Sequence, residues 1–459
     1  MKQPSRRTFL RSSLGGAVGL TLLPNLIPAR LLGADAPSKK IHVAQIGCGR
    51  MGRSDLGNVL NEPLARIVAV CDLDSHRLAG GKKLVDDFYR ERGETSATVK
   101  TFHDYHDVLA SPDIDAVVVT VPDHSHALVA IHAAIAGKHI YVQKPVTYSI
   151  TEAIGLRKAV EAKNIILQTG SQQRSEKPWA SFRKASEAIR NGRIGQLKTI
   201  QIGLGIDQPS GRQPAPTPVP DTLDYERWLG SAPEQPYMEG RVHPQNEPEG
   251  RPGWITTEDF GLGMITNWGA HHMDIALWSM GQELGGPQTV EARAEFMKND
   301  LWTVHTTYHV EILYPGNVRV ILDNTLPTGI RFAGDDGWIF CTRGEDSNDA
   351  LPPLRASDKY ILSPLDSKAV RWMPSKTHHG NWLESIAANR QPIAPIQQSA
   401  RSLEACSAAW IGMKLKRKLT WDVATERFVG DDEANELRGR KARKPEHDFE
   451  LVLKKAGIA

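Results

Sequence analysis

Short apolar segments alternate with longer amphipathic segments through the first part of the chain. The apolar segments that we assign as buried strands are residues 41–46, 67–71, 99–102, 114–121, 138–142 and 165–168. The segments between them that we assign as helices are residues 53–60, 75–92, 105–110, 126–136 and 151–163. Strands that alternate with helices in this way predict a parallel, doubly wound α/β sheet. The carboxyl ends of its strands meet at one edge, where ligands bind.

Beyond about Gly170 the pattern changes. Strand-like segments continue without regular helices between them, at residues 198–203, 289–296, 303–314 and 318–324. They predict a second, α+β domain built on a large open sheet that is mostly antiparallel or mixed. We therefore expect a Rossmann domain at 37–170 and a second domain at 171–459. A Pro/Gly-rich insertion at 208–254 contains Trp228, Tyr237 and Trp254, which argue that it is ordered and able to wall a pocket.

A glycine-rich turn follows the first predicted strand directly. It reads Gly47-Cys48-Gly49-Arg50-Met51-Gly52 and leads into the first predicted helix. In such a turn Gly47 permits the tight bend, Gly49 lets the backbone approach a pyrophosphate, and Gly52 lets helix and strand pack closely. The helix N-terminus then offers free N–H groups to the phosphates. This context predicts a dinucleotide site.

An aspartate at the end of the second strand supports the same prediction. Asp72 lies twenty residues after Gly52. A carboxylate there accepts hydrogen bonds from the ribose hydroxyls and repels a 2′-phosphate, which favours NAD. NADP stays open as an alternative, because His76 and Arg77 lie close to Asp72 and could meet a phosphate.

Composition limits the other classes of function. The chain has 459 residues, 40% of them hydrophobic and 24% charged, and a formal net charge of +3. These values are ordinary for a soluble globular protein and suggest neither nucleic acid nor an anionic membrane as a partner. Cysteines 48, 71, 341 and 406 are too few and too scattered for a disulfide framework. We find no metal-ligand spacing.

The N-terminus has the features of an export signal. Ser5-Arg6-Arg7-Thr8-Phe9-Leu10 is a twin-arginine motif, and an apolar segment at 14–32 follows it. Prolines at 24 and 28 make that segment a poor membrane span. Ala34-Asp35-Ala36 has the form of a cleavage site. We expect residues 1–36 to be a signal peptide and the mature protein to be periplasmic. The alternatives are a short N-terminal anchor or a chance arginine pair.

Two segments carry candidate chemistry. Lys144 ends a predicted Rossmann strand, where a lysine can hydrogen-bond a substrate hydroxyl and lose its proton if burial lowers its pKa. Asn267 and His271 are four residues apart, so on a helix they share one face. Histidine is the natural proton shuttle near neutral pH. His272 could support His271 or simply lie in the core.

The motifs together resemble those of the Gfo/Idh/MocA family of NAD(P)-dependent oxidoreductases. They are the Gly47–Gly52 turn, the segment 122–126 (Pro-Asp-His-Ser-His), the segment 136–145 that ends in Lys144-Pro145, and the segment 261–274 that contains His271. The resemblance implies a site between the two domains, with Lys144 and His271 as catalytic groups. It also implies a homo-oligomer formed through the open sheet. Two departures matter, because Gln143 replaces the family's usual glutamate and Asn267 its usual aspartate. Both changes remove a carboxylate, which should ease deprotonation of Lys144.

These considerations define the expected site. The expected cofactor contacts are Gly47, Gly49, Arg50, Met51, Gly52, Asp72, Pro122, His126, Gln143 and Lys144. The expected substrate contacts are Lys144, Arg174, Asn267, His271 and His272. The leading hypothesis is an exported oxidoreductase that moves hydride between tightly bound NAD and a hydroxyl-bearing carbon of a sugar, polyol or glycoside. An NAD-dependent glycosidase with a closed redox cycle, and a non-catalytic NAD-dependent sensor, are the alternatives.

Overall fold

Two β-sheets organise the part of the chain that the computed structural model describes. The structure describes residues 40–94, 98–247, 249–281, 285–344 and 352–458. The expected signal peptide at 1–36 lies outside these residues. A helix with the length and apolar character to span a bilayer does not occur in the ranges just given.

The first sheet has six strands in the order β3-β2-β1-β4-β5-β6, and every neighbouring pair is parallel. Its strands are β1 (Ile41–Ile46), β2 (Ala65–Cys71), β3 (Lys100–Phe102), β4 (Ala116–Val119), β5 (His139–Val142) and β6 (Leu167–Thr169). The strand order reverses between β1 and β4, and this is where a crevice opens at the carboxyl edge. The predicted parallel, doubly wound sheet is confirmed.

Helices cover both faces of this sheet. They are α1 (Arg50–Leu60), α2 (Ser75–Glu91), α3 (Tyr105–Ala110), α4 (Asp123–Ile135) and α5 (Ile150–Lys163). Ser149 and Glu152 form a capping box at the start of α5. In contrast, α1 and α4 each begin three residues earlier than predicted. Their N-caps, Gly49 and Pro122, make no side-chain cap, so the sequence carries no cap signal there.

The second sheet has nine strands in the order β13-β12-β11-β7-β10-β9-β8-β14-β15. Its strands are β7 (Leu197–Gly203), β8 (Thr289–Phe296), β9 (His305–Tyr314), β10 (Val318–Asp323), β11 (Gly329–Gly334), β12 (Gly337–Cys341), β13 (Leu354–Ala356), β14 (Leu419–Asp422) and β15 (Arg427–Phe428). The β7–β10 pair is parallel and the other pairs are antiparallel, which confirms the predicted mixed sheet.

The remaining helices are α6 (Ala180–Arg190), α7 (Tyr225–Leu229), α8 (Met264–Met280), α9 (His378–Ala387), α10 (Ile396–Leu415), α11 (Asp432–Glu436) and α12 (Phe449–Lys455). The largest buried core packs α6, α8 and α10 against one face of the second sheet. The other face is open, and β8 alternates buried and exposed residues accordingly. Helix α10 also packs against α5 and β6, so it joins the two sheets.

The insertion at 208–254 is ordered where the structure describes it. It has little regular structure besides α7, yet Leu223, Trp228, Tyr237 and Val242 are buried together with Phe260. This small apolar cluster holds the insertion beside the carboxyl edge of the first sheet, where it contributes to the site.

Candidate active site

A cavity of about 630 Å³ opens between the carboxyl edge of the six-stranded sheet and helix α8. The predicted residues that line it are Gly47, Gly49, Arg50, Met51, Asp72, Pro122, His126, Gln143, Lys144, Asn267 and His271. Trp228, His243, Arg251 and Trp254 from the insertion also line it. Elements that are far apart in sequence therefore form one continuous pocket.

The glycine turn has the close packing that a dinucleotide site needs. Gly47 has a φ of +91°, and a Cβ atom on it would lie 2.2 Å from the Thr120 carbonyl oxygen. A Cβ on Gly52 would lie 2.0 Å from the Gly47 carbonyl oxygen, so Gly52 packs α1 against the turn and does not itself line the cavity. Gly49 faces open space apart from the Arg77 guanidinium, and the α1 N-terminus carries no side-chain cap. The N–H groups there are available to phosphate.

Asp72 is fixed at the far end of this turn. The backbone N–H of Cys48 donates to one carboxylate oxygen at 2.6 Å, and the N–H of Asp74 donates to the other at 2.8 Å. Burial raises the pKa of Asp72, and these hydrogen bonds oppose that effect. The Arg77 guanidinium, a candidate partner for a 2′-phosphate, donates to the Pro244 carbonyl oxygen at 2.9 Å. The glycine turn, the N-terminus of α1 and the Asp72 carboxylate together fit NAD.

Lys144 lies at the end of β5, where the two domains meet. Its Nζ donates to the side-chain oxygen of Asn267 at 3.0 Å and to the carbonyl oxygen of Asn267 at 3.2 Å. Burial lowers the pKa of Lys144 to about 8, the nearby Asp123 opposes this, and Arg343 and Arg251 reinforce it. The lowered pKa agrees in direction with the expectation from the sequence. Its main cause is burial rather than the loss of two carboxylates.

Two carboxylates that the sequence analysis did not single out stand near Lys144. Asp123, at the start of α4, is 5% exposed and lines the cavity. Burial raises the pKa of Asp123 to about 7, while the charge of Lys144 lowers it. Asp55 on α1 also lines the cavity and contacts Gln143. Other chain segments therefore supply carboxylates to a site in which positions 143 and 267 carry amides.

His271 faces the cavity one helical turn after Asn267, as the spacing predicts. It is 8% exposed, and its Nδ1 is buried with no hydrogen-bond partner among the described residues. Burial, together with the charges of Lys144 and Arg343, lowers the pKa of His271 well below its usual range. The ring is therefore neutral near pH 7, and it can accept or donate a hydrogen bond.

Arg343, just after β12, is a further cation at the cavity that the sequence analysis missed. Its guanidinium lies 3.8 Å from the ring centre of Trp179 and 4.4 Å from that of Trp268. Stacking between two indole rings holds a guanidinium in one orientation. No local motif marks this residue, because its place depends on the pairing of β11 with β12.

Two of the expected substrate contacts lie away from the cavity. Arg174 is 1% exposed, and it forms a two-point ion pair with Asp274 at 2.6 and 2.7 Å. It also donates to the Ile393 carbonyl oxygen, so we assign it a structural role instead. His272 is 1% exposed and packs near the Phe182 ring. Adjacent helical residues point about 100° apart, so His272 cannot share the face of His271.

His126 contacts the turn that carries Lys144. Its Nδ1 is 2.7 Å from the carbonyl oxygen of Pro145, and burial lowers its pKa to about 4. The Nε2 of His126 is buried without a partner in the described part of the chain, and the residue lines the cavity. It is therefore placed to support the turn that carries Lys144.

Known proteins resemble this chain in part or in whole. A myo-inositol 2-dehydrogenase from Thermotoga maritima is 28% identical over 41% of this chain and 49% of its own length. A glycosyl hydrolase family 109 protein from a Shewanella species is 29% identical over 32% of this chain and 35% of its own length. The chain thus spans about half or less of the length of the curated relatives that it matches.

Solved structures share the fold. A WlbA dehydrogenase from Chromobacterium violaceum, solved in complex with NADH and UDP-GlcNAcA, superposes with a TM-score of 0.59 at 17% identity. The match covers 86% of this chain and 99% of that one. Residues 41–171 match the model of an oxidoreductase family with an NAD-binding Rossmann fold. Residues 209–448 match the C-terminal α/β domain of the same family. The chain belongs to the Gfo/Idh/MocA oxidoreductase family.

Proposed function

We propose that this protein transfers hydride between NAD and a hydroxyl-bearing carbon of a sugar, polyol or glycoside. The observation that carries the proposal is the position of Lys144. Its Nζ lies in the cavity formed by the glycine turn and Asp72, held by Asn267, with His271 one helical turn away. This position supports the role of Lys144 as the proton-accepting amine beside a bound dinucleotide.

Each residue of the site would have a separate role in the reaction. Bound NAD supplies a hydride acceptor or donor. Gly47 and the α1 N-terminus would hold its phosphates, and Asp72 its ribose hydroxyls. Neutral Lys144 accepts the proton of the substrate hydroxyl as the C–H bond breaks, and its lowered pKa makes the neutral amine available near pH 8. His271 and Asn267 orient neighbouring hydroxyls through hydrogen bonds.

The insertion supports a cofactor that stays bound between turnovers. Asp74, at the N-cap of α2, accepts from the ring nitrogen Nε2 of His243 at 3.0 Å and from the amide of Gln245 at 3.2 Å. Arg77 bonds to Pro244 in the same segment. The insertion therefore ties down the loop after Asp72 on the ribose side of the cavity. We expect these contacts to slow the release of a bound dinucleotide.

Lys144 variants test the proposal. Purified protein is incubated with a panel of polyols, hexoses and glycosides, and nicotinamide absorbance is followed with and without added NAD⁺. We expect reduction with at least one substrate class, and a loss on the order of 10²–10⁴-fold in Lys144→Met. Lys100→Met, which removes an exposed lysine of the same domain, is the matched control. Equal turnover in both variants would contradict the assignment.

A redox-neutral glycosidase is the second candidate, and the similarity to a glycosyl hydrolase family 109 protein favours considering it. Oxidation of a glycoside hydroxyl would acidify the neighbouring C–H, and elimination, water addition and reduction would return the cofactor to its starting state. Such an enzyme cleaves nitrophenyl glycosides without added NAD⁺ and accumulates no NADH. A net oxidoreductase leaves the glycosidic bond intact and accumulates NADH, one per site while the cofactor stays bound and more where added NAD⁺ exchanges with it. A sensor would bind nucleotide and do neither.

Export and assembly also belong to this proposal. The twin-arginine motif at Arg6-Arg7 supports transport of the folded protein with its cofactor. Periplasmic fractionation of wild type and Arg6→Lys/Arg7→Lys tests it, and equal export would contradict it. The open face of the second sheet supports a homo-oligomer, which light scattering would measure directly. A monomer at all working concentrations would exclude it.

A further inference from the structure

Asp55 is a buried carboxylate at the floor of the cavity with no part in the chemistry described above. It is 1% exposed and belongs to α1, the helix that follows the glycine turn. Its oxygens accept from the Thr120 hydroxyl at 2.9 Å and lie 3.2 Å from the Nε2 of His379. The third partner is the side-chain amide of Gln143, at 2.8 Å. A buried carboxylate that accepts several hydrogen bonds holds the groups around it in fixed positions.

Asp55 determines which way the Gln143 amide points. The amide nitrogen lies 2.8 and 3.0 Å from the two carboxylate oxygens. Because a carboxylate only accepts hydrogen bonds, the nitrogen must face Asp55 and the oxygen must face away. That oxygen accepts from the backbone N–H of Lys144 at 3.3 Å. A Cβ on Gly170 would lie 2.6 Å from it, so the amide fills the space that the absent side chain leaves.

The same hydrogen bonds reach the glycine turn. The side-chain amide of Gln45 donates to the Gly47 carbonyl oxygen at 2.8 Å and to the Thr120 hydroxyl at 3.2 Å. Thr120 in turn donates to Asp55. A continuous network therefore joins the phosphate-binding turn to the segment that carries Lys144.

We propose that Asp55 is a positioning residue for the reacting end of the site. It holds Gln143 with its oxygen toward the backbone N–H of Lys144, and it supplies the negative charge that position 143 lacks in comparison with the family's usual glutamate. The inference rests on the proposed function for its effect on turnover. Its effect on nucleotide retention is independent of turnover.

Exchanging the carboxylate at position 55 with the amide at position 143 tests this assignment. Gln143→Glu alone places two carboxylates against each other in a buried place, so we expect nucleotide release to accelerate on the order of 100-fold. Asp55→Asn alone removes the charge but keeps a hydrogen-bonding group, and an acceleration on the order of 10-fold is expected. In the double variant Asp55→Asn/Gln143→Glu, the new asparagine amide can donate to the new carboxylate. Release should then return to within about threefold of wild type.

The measurements are the release rate of bound NAD⁺ from the full-length protein, followed by dilution into a nucleotide trap, and kcat and KM for the substrate found above. Asp107→Asn, which removes an exposed carboxylate from α3, is the matched control. Thermal melting of each variant shows that it is folded. Rescue in the double variant supports a positioning role.

If the effects of the two single variants simply add, Asp55 only stabilises the fold and the inference is wrong. Rescue of NAD⁺ retention with no turnover in wild type would support Asp55 while contradicting the proposed function. The two failures are therefore distinguishable.

Discussion

Replacement of Lys144 by methionine removes a partly buried amine and makes its proton linkage measurable. Burial lowers the pKa of Lys144 from 10.5 to about 8 in the folded chain. Between those two pH values the unfolded chain binds one more proton than the folded chain. The wild-type free energy of unfolding therefore rises with pH, by about 1.4 kcal/mol per pH unit from this residue.

Methionine has no proton to lose, so the stability of Lys144→Met lacks this rise. Relative to wild type, the variant is most favoured below pH 8, where the wild-type protein buries a charged ammonium. That relative advantage shrinks by about 3 kcal/mol in total by pH 10.5. Burial raises the pKa of Asp123 to about 7 while the charge of Lys144 lowers it, so Asp123 would titrate at higher pH in Lys144→Met. Both proteins therefore carry Asp123→Asn in this comparison.

The assay is urea unfolding of nucleotide-stripped protein, followed by tryptophan fluorescence at several pH values between about 8 and 10.5. Lys100→Met is the control. Its amine is exposed and paired only with Asp113 at the surface, so its difference from wild type should stay flat across this pH range. A flat difference for Lys144→Met as well would refute the claim that burial makes this amine a proton acceptor near pH 8.

Three further perturbations separate the roles of other residues. His271→Gln should lower kcat/KM on the order of 100-fold with nucleotide content per chain unchanged, since we propose that the ring contacts substrate; equal loss of nucleotide would contradict that role. Asp74→Asn should speed release of bound NAD on the order of 10-fold, because it weakens the contact with His243; an unchanged release rate in a trap assay would exclude the insertion as a restraint. Arg174→Met should cost about 3–5 kcal/mol in urea unfolding by leaving Asp274 buried and unpaired, while KM stays the same in the folded fraction; a raised KM would restore the substrate contact expected from the sequence.

Features fixed by local chain order were predictable from the sequence. The Gly47 turn, Asp72 and Lys144 each follow directly from a strand of the parallel sheet, and the rule that strand ends meet at one edge brings them together. The helical spacing of Asn267 and His271 placed both at the cavity. No knowledge of tertiary contacts was needed for these.

Features set by tertiary pairing were missed. Asp55 is an ordinary surface-type residue in sequence, and only the meeting of α1, β5 and α9 buries its carboxylate. Arg343 reaches the cavity because β12 pairs with β11, neither of which was predicted. Arg174 was expected at the cavity, but a tertiary contact holds it elsewhere. Its ion-pair partner Asp274 lies a hundred residues away in the sequence.

The sequence analysis also did not predict the strands after residue 324. β11 and β12 are short and begin with Gly329 and Gly337, which favour turns when seen alone. β13, β14 and β15 span four residues or fewer. Such segments become strands because a neighbouring strand offers its backbone, and β-propensity is dominated by that context.

Deuterium labelling of the substrate tests directly whether hydride passes from the substrate to NAD⁺. Wild-type protein loaded with NAD⁺ is mixed with a substrate from the panel that carries deuterium on the hydroxyl-bearing carbon. The protein is then denatured and the released nucleotide is analysed by mass spectrometry. We expect reduced nicotinamide that contains one deuterium in wild type and in Lys100→Met, and unlabelled NAD⁺ in Lys144→Met. Unlabelled nucleotide in wild type with every substrate class, or equal labelling in Lys144→Met, would contradict it.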